Sequence, residues 1–573
     1  MHRRSLLWIA AALAAVAVLL AVSGGARATV GGLRISARSP LGASVAAIAA
    51  AAAWWALARR AKSVDSDLES AWFSLNRHSA NVIVVVAALS GGVAAIFATN
   101  SASGADASGY LSQASLLASG RLFYPDELSL SAAIDPWMTS PLGWRPTIYP
   151  GMQAPTYPPG LPWLMAMVPG TSHAGLVIVP SAAAAVWATG VVATRLAGGL
   201  AGLAAAMLIA VSPVFLFQSV QPMSDVPVTA AWMVVWMLLI RPGGGSRESG
   251  VGIALAGIAC AIAVLIRPNL APLAALPLFA IGFNARRLAT FSLPVALAGL
   301  ALMWLQWQWY GSPLRSGYGT ADELFAIGNI GANASRYFSW LIATSPVLVT
   351  AIAGAALVWR HPATKPLAAF AALVVVAYLV YAVFDVWSYL RFLLPALAVA
   401  AAFTGAAIAA GLCRLPIRLR VVGALAVALG LTAHGVSQAR ALDTFRLTNQ
   451  HRRVSQVAAY LDTVPKGAVI VAGEQSGSLR YYTGRSILRW DAASAEQLST
   501  SIAAVNAAGR PVVVALDAWE NEPFRARHGG VPALSLEWPP AFEAGTSHRT
   551  RVWRLSDREK FLRGESLVTE REP

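Results

Sequence analysis

Charge is scarce in this sequence. Asp, Glu, Lys and Arg make up 12% of 573 residues, about half the share that a soluble domain carries. Hydrophobic residues account for 57% and the mean hydropathy is +0.58. A single soluble core cannot hold that much apolar chain, because cores stop growing at roughly 250–300 residues. Cysteine is nearly absent too. Cys260 and Cys413 are the two in the chain, without metal-ligand spacing, which excludes a disulfide scaffold and leaves both as packing residues. A basic stripe is also missing: the net charge of +16 (43 − 27) comes mostly from Arg scattered between apolar runs. Nucleic acid is therefore not an expected partner, and the lipid bilayer is.

Apolar runs recur near 5–22, 42–58, 80–99, 174–194, 198–217, 226–240, 250–266, 268–284, 288–308, 346–359, 367–384, 393–412 and 419–436. Each approaches the ~20 residues that cross a bilayer as a helix. The expected class is an all-α polytopic membrane protein of about 13 transmembrane helices, with a small C-terminal α/β extracytoplasmic domain. The first run, behind Arg3 and Arg4, lacks a convincing cleavage signal and reads as an anchor. With the N-terminus cytoplasmic, sixteen basic residues fall on inner segments and nine on outer ones up to residue 436. That balance follows the rule that positive residues stay inside. It places loops 100–173 and 309–345, and the tail from 437, outside.

The tail alternates helix-like and strand-like pieces. Val454, Val457, Ala458 and Leu461 have helical spacing before AVIVAG at 468–473, and a helical stretch 494–508 precedes PVVVAL at 511–516. That alternation suggests an α/β unit. No phosphate loop, metal spacing or nucleophile motif is visible in it. The expected divisions are 1–79 (two helices and a linker), 80–436 (the main membrane domain) and 437–573.

Loop 100–173 is too long for a plain connection. Tyr110, Leu111, Ala114, Leu117 and Ala118 recur at helical spacing before Gly120, which predicts an amphipathic helix lying at the membrane surface. Asp106 alone reads as its N-cap. Asp225, in SDVP, has the same reading. Asp385 and Arg391 could anchor at the interface beside Trp387 and Tyr389. Arg267 breaks the apolar stretch 251–283, and a charge at that depth is costly and functional by default. The topology brings all five to the outer face, where acids could serve a hydroxyl and arginines a phosphate.

In this order, the acidic first outer loop, YPPGLP at 157–162, SDVP at 224–227, LIRP at 265–268 and YLRFLLPAL at 389–397 resemble the C-superfamily of membrane glycosyltransferases. Within it, the protein O-mannosyltransferase-like and lipid A aminoarabinose transferase-like enzymes look most similar. GYG at 317–319 also resembles a later outer loop of the group, and the resemblance covers about 80–440. It implies a polyprenyl-phosphate-linked sugar donor, a glycan, lipid or protein acceptor, and a bacterial inner (plasma) membrane. It also implies Asp106 as catalytic base, with Tyr110 matching the family's Tyr. Ala107 stands where the family often has a second acid, so no second carboxylate role is carried over there. Arg267 and Arg391, with Tyr110, Asp225, Asp385 and Tyr157, are the expected donor-phosphate and substrate contacts. No cofactor is demanded, although Asp106, Asp225 and Asp385 leave room for a divalent cation. The rival classes are a transporter or flippase, which should show internal repeats and mid-span charges, a lipid-linked oligosaccharide polymerase or ligase, and a structural membrane protein whose tail binds a partner.

Overall fold

The computed structural model describes residues 3–23, 26–30, 33–37, 39–131, 134–168, 170, 175–241, 250–546 and 548–572. A helix lies at each expected apolar run, but length and composition do not give about 13 membrane helices among the described residues. Among the described residues, six helices are long and apolar enough to span: Leu41–Arg60, Ser79–Phe97, Gly175–Ala197, Ala285–Tyr310, Trp387–Cys413 and Ile417–Ala441. Two bent pairs raise the number to eight at most, Gly199–Ala210 with Pro213–Ser219 at 62° and Ile327–Thr344 with Pro346–Leu357 at 111°. Asp225–Leu239, Gly250–Ile266, Pro268–Ile281 and Thr364–Leu379 are apolar but shorter. In the third of these, Pro272 and Pro277 lack the N–H that a continuous helix needs, and the chain winds as a 3₁₀ segment before a short α-helix. The chain is an integral, multi-pass membrane protein.

Asp225–Leu239 runs through the middle of the bundle and is buried on nearly every side. Trp232 and Trp236 are fully buried, with ring centroids 4.9 and 5.8 Å from Phe370. Small residues allow the close approach of helices that lack a hydrophobic drive in lipid. At Gly405 a Cβ would run into the Ala201 carbonyl. At one end of the bundle Arg3 and Arg4 bond Asp67 at 2.8 and 2.9 Å, and Arg418 bonds Asp65 at 2.6 Å. There too Arg195 donates to the Ile240 carbonyl at 2.7 Å. These four arginines all belong to the set expected inside.

Loop 100–173 and the tail pack together at the other end. The loop folds as a helix, Ala105–Ala118, a three-stranded sheet with Met152–Pro155 between Tyr124–Pro125 and Trp144–Pro146, and a short helix, Gly160–Ala166. The loop helix stops as expected, with Gly120 at φ +69°. Protein covers much of it. Ala107, Ser108, Tyr110, Leu111, Gln113 and Ala114 are buried, because Gly160–Ala166 and the tail helix Ser476–Thr483 cover it. Segment 309–345 is not a plain loop either: Ile330–Thr344 is helical, and Asn333 fixes it by donating to the Tyr381 carbonyl at 2.7 Å.

The tail is an α/β unit, as its alternation predicts. Val469–Ala472 lies between Ile487–Arg489 and Val512–Asp517, parallel to both. Thr550–Arg554 then pairs antiparallel with Val512–Asp517. Phe542–Ala544 and Glu570–Glu572 complete the six-stranded sheet. Apolar clusters cover both faces, and Ser494 with Gln497 forms a capping box on Ala495–Ala507.

Candidate active site

Asp106 sits in the first turn of the loop helix, two residues past Gly104 at the N-cap. It is not a cap. Its carboxylate accepts from Tyr157 Oη at 2.8 Å and from Arg391 Nη2 at 2.5 Å. Burial, with the charge of Asp106 added, holds the Tyr157 phenol well above its ordinary pKa, so this hydroxyl remains the donor. The helix admits the Tyr157 ring because Gly109 has no side chain; a Cβ there would overlap it.

Asp225 also fails to cap. It opens Asp225–Leu239, but its carboxylate pairs with Arg267, while the preceding Ser224 accepts from Tyr110 Oη at 3.0 Å. Arg267 stands where Gly250–Ile266 gives way to the 3₁₀ segment. It is 7% exposed and also donates to Tyr378 Oη at 3.3 Å. Arg391 comes from the 3₁₀ turn Trp387–Leu393. Its Nε lies 4.0 Å from Asp225 and is buried without a hydrogen bond among the described residues. The four groups thus alternate in sign from Asp106 through Arg391 and Asp225 to Arg267. Two acids and two arginines sum to zero.

All four line a cavity of about 630 Å³. Tyr110, Tyr157, Tyr318 and Tyr378 share its wall, and Leu302 and Met303 of Ala285–Tyr310 line it from an apolar side. That same helix exposes Leu297, Leu300, Trp304 and Trp307, so one helix borders both the cavity and the lipid. Tyr318 comes from the GYG stretch, whose Gly317 carbonyl accepts from Arg145 Nε at 3.0 Å.

The structure brings together six of the seven expected residues: Asp106, Tyr110, Tyr157, Asp225, Arg267 and Arg391. Asp385 stands apart, its side chain 82% exposed and paired with Arg336. The three acids considered for a divalent cation therefore do not converge, and each is engaged by an arginine. No group of three His, Cys, Asp or Glu suited to a metal occurs among the described residues.

Sequence reasoning missed Tyr378, and it missed three tail residues that reach the loop helix. Tyr482 Oη accepts from the Ala102 N–H at 2.9 Å, and Gln475 Oε1 accepts from the Gly104 N–H at 3.3 Å. The Glu474 carboxyl faces the Ala105 N–H. Burial, then the nearby Asp517 and Asp106 charges, push the Glu474 carboxyl above the usual range. No motif links residues so distant in sequence.

No protein-family model matches the sequence, and no curated protein matches it. Solved structures do. One is the Archaeoglobus fulgidus oligosaccharyltransferase tethered with an acceptor peptide, at 13% identity over 78% of this chain and 70% of that one, with a TM-score of 0.52. Its apo form matches at 13% identity over 84% and 75%, with a TM-score of 0.51. ArnT from Cupriavidus metallidurans bound to undecaprenyl phosphate matches at 12% identity over 82% and 98%, with a TM-score of 0.49. The bundle, the long loop 100–173 and the appended tail together give this chain the fold of that oligosaccharyltransferase.

Proposed function

We propose that the chain transfers a sugar from a polyprenyl-phosphate donor to an acceptor hydroxyl on the outer face of the membrane, with inversion at the anomeric carbon. The observation that carries this reading is the convergence of Asp106, Arg391 and Arg267 on one cavity with an apolar wall beside the lipid. A lipid-linked phosphate has its tail in hydrocarbon and its sugar in water, and such a cavity suits both. The oligosaccharyltransferase fold supports the same reaction class.

Arg391 is held by Asp106. A donor phosphate competes for that guanidinium, whose planar fork accommodates paired oxygens. Asp106, released, is then free to take the proton of the acceptor hydroxyl as its oxygen attacks the anomeric carbon. The bond from that carbon to the phosphate oxygen breaks. The departing polyprenyl phosphate gains charge, which Arg391 stabilises in a water-poor setting. Arg267, already neutralised by Asp225, contributes from further along the chain of charges. The test is release of undecaprenyl phosphate from a panel of undecaprenyl-phosphate-linked hexoses and pentoses by the full chain in nanodiscs. Movement of the intact donor across the bilayer without release would mark a flippase instead.

Lysine substitutions separate phosphate binding from anchoring. Both side chains snorkel equally well, but Lys lacks the fork. Arg391→Lys is expected to raise the donor KM about tenfold or more, the worth of a charge-assisted hydrogen bond, with folded yield intact. Arg267→Lys should act in the same direction and less strongly. Unchanged donor titrations for both would return these arginines to the anchor role.

The topology follows the same reading: N-terminus cytoplasmic, with loop 100–173 and the tail outside. Leu130 and Gly530 are exposed, so Leu130→Cys and Gly530→Cys are expected to react with an impermeant maleimide in intact cells. Cys413, exposed at the arginine-rich end, should react after permeabilisation alone. Protection of either introduced cysteine, or early labelling of Cys413, reverses the assignment.

A further inference from the structure

We infer that Glu474, Gln475 and Tyr482 are positioning residues that fix the catalytic loop from the tail. A helix begins with backbone N–H groups that have no partner within it. The loop helix has Gly104 at its N-cap, which brings no side chain to meet them. Tail side chains meet this segment instead: Gln475 accepts from the Gly104 N–H at the N-cap, Glu474 faces the Ala105 N–H, and Tyr482 accepts from the Ala102 N–H two residues before the cap. Asp106 follows immediately, so its carboxylate is aimed by a segment hydrogen-bonded to the tail at Ala102 and Gly104.

The pins are themselves held. Gln475 Nε2 donates to Asp517 at 2.8 Å, and Asp517 pairs with buried Arg453 at 3.1 Å. The Glu474 N–H donates to Glu520 Oε1 at 2.9 Å, and Glu520 also receives Trp490 Nε1 at 3.2 Å. Packing is equally close. At Gly477 a Cβ would meet the Leu142 carbonyl and approach Ser108 Oγ, so the tail helix lies directly on the loop. Supporting side chains with locked rotamers are what hold a reacting group in its productive geometry.

This inference rests on Asp106 as the base, and its test separates the two. Full-length Glu474→Ala, Gln475→Ala and Tyr482→Phe are compared with wild type and Asp106→Asn in nanodiscs, on the fastest donor of the same panel. Amide hydrogen exchange of peptides spanning 101–110 is measured alongside. Each tail variant is expected to speed exchange across 101–110 about tenfold while leaving 225–239 unchanged. Each should lower kcat several-fold with the donor KM within twofold of wild type. Glu474→Gln keeps an acceptor for the Ala105 N–H, and should restore both exchange and kcat to within about twofold. Normal exchange and normal kcat in all three variants overturn the inference. So do a loosened loop with full kcat, and a Glu474→Gln variant as impaired as Glu474→Ala. Should Glu474→Ala not fold, Tyr482→Phe, which removes one oxygen, decides alone. Full turnover by Asp106→Asn instead sinks the base assignment, and the exchange arm still reports whether the tail fixes the loop.

Discussion

Asp106→Asn is expected to lower turnover by roughly 10²–10⁴-fold, the range over which a positioned general base contributes. Expression should barely change. Asn is nearly isosteric and keeps an oxygen for Tyr157, and Gly104 rather than Asp106 occupies the N-cap. The variant does remove the negative charge that holds Arg391. Donor affinity is therefore expected to hold or rise while kcat falls, a split that a misfolded site would not produce. Single-turnover measurements on a saturating donor check it, and near-normal rates would remove Asp106 from the chemistry.

The second large effect is on stability. Asp225→Ala leaves Arg267, 7% exposed, without the carboxylate that neutralises it. Breaking a buried pair by deleting one partner costs about 3–5 kcal/mol, because the remaining charge stays desolvated. A lower unfolding midpoint in detergent and a reduced folded yield are expected. Asp225→Ala combined with Arg267→Met removes the stranded charge and should recover much of the loss. If the double variant is no more stable than the single one, the stranded guanidinium is not the cause.

Much of the architecture was legible because apolar runs announce helices wherever they fall. The runs at 80–99 and 288–308 became Ser79–Phe97 and Ala285–Tyr310. Spans were harder to count than helices. A run such as 268–284 is apolar enough for lipid, yet Pro272 and Pro277 prevent a continuous helix. The helix Ile330–Thr344 escaped because Asn333, Ser335 and Arg336 interrupt its apolar face. At the site, charge was the readable signal. Asp106, Asp225, Arg267 and Arg391 stand out against apolar surroundings, and they do converge. Their partners were not readable: hydropathy does not show that Tyr157 donates to Asp106 across 51 positions. Asp385 looked like a fifth member by its sequence neighbours, but it turned towards Arg336. The burial of the loop helix was hidden for a related reason. Ser108 and Gln113 on that helix suggest water, yet both are buried, with Ser108 beside Gly477 of the tail.

During synthesis the site closes last. Gln475 meets Gly104 across 371 positions, and Tyr482 meets Ala102 across 380. When the ribosome has made the whole membrane bundle, the segment before Asp106 still lacks the groups that hold it. Contacts of such sequence separation form late, after the local ones. A nascent or truncated chain would thus occupy the membrane, offering its lipid-facing wall, without a formed reaction centre. Only once the segment 475–482 has been made can the two parts of this machinery meet.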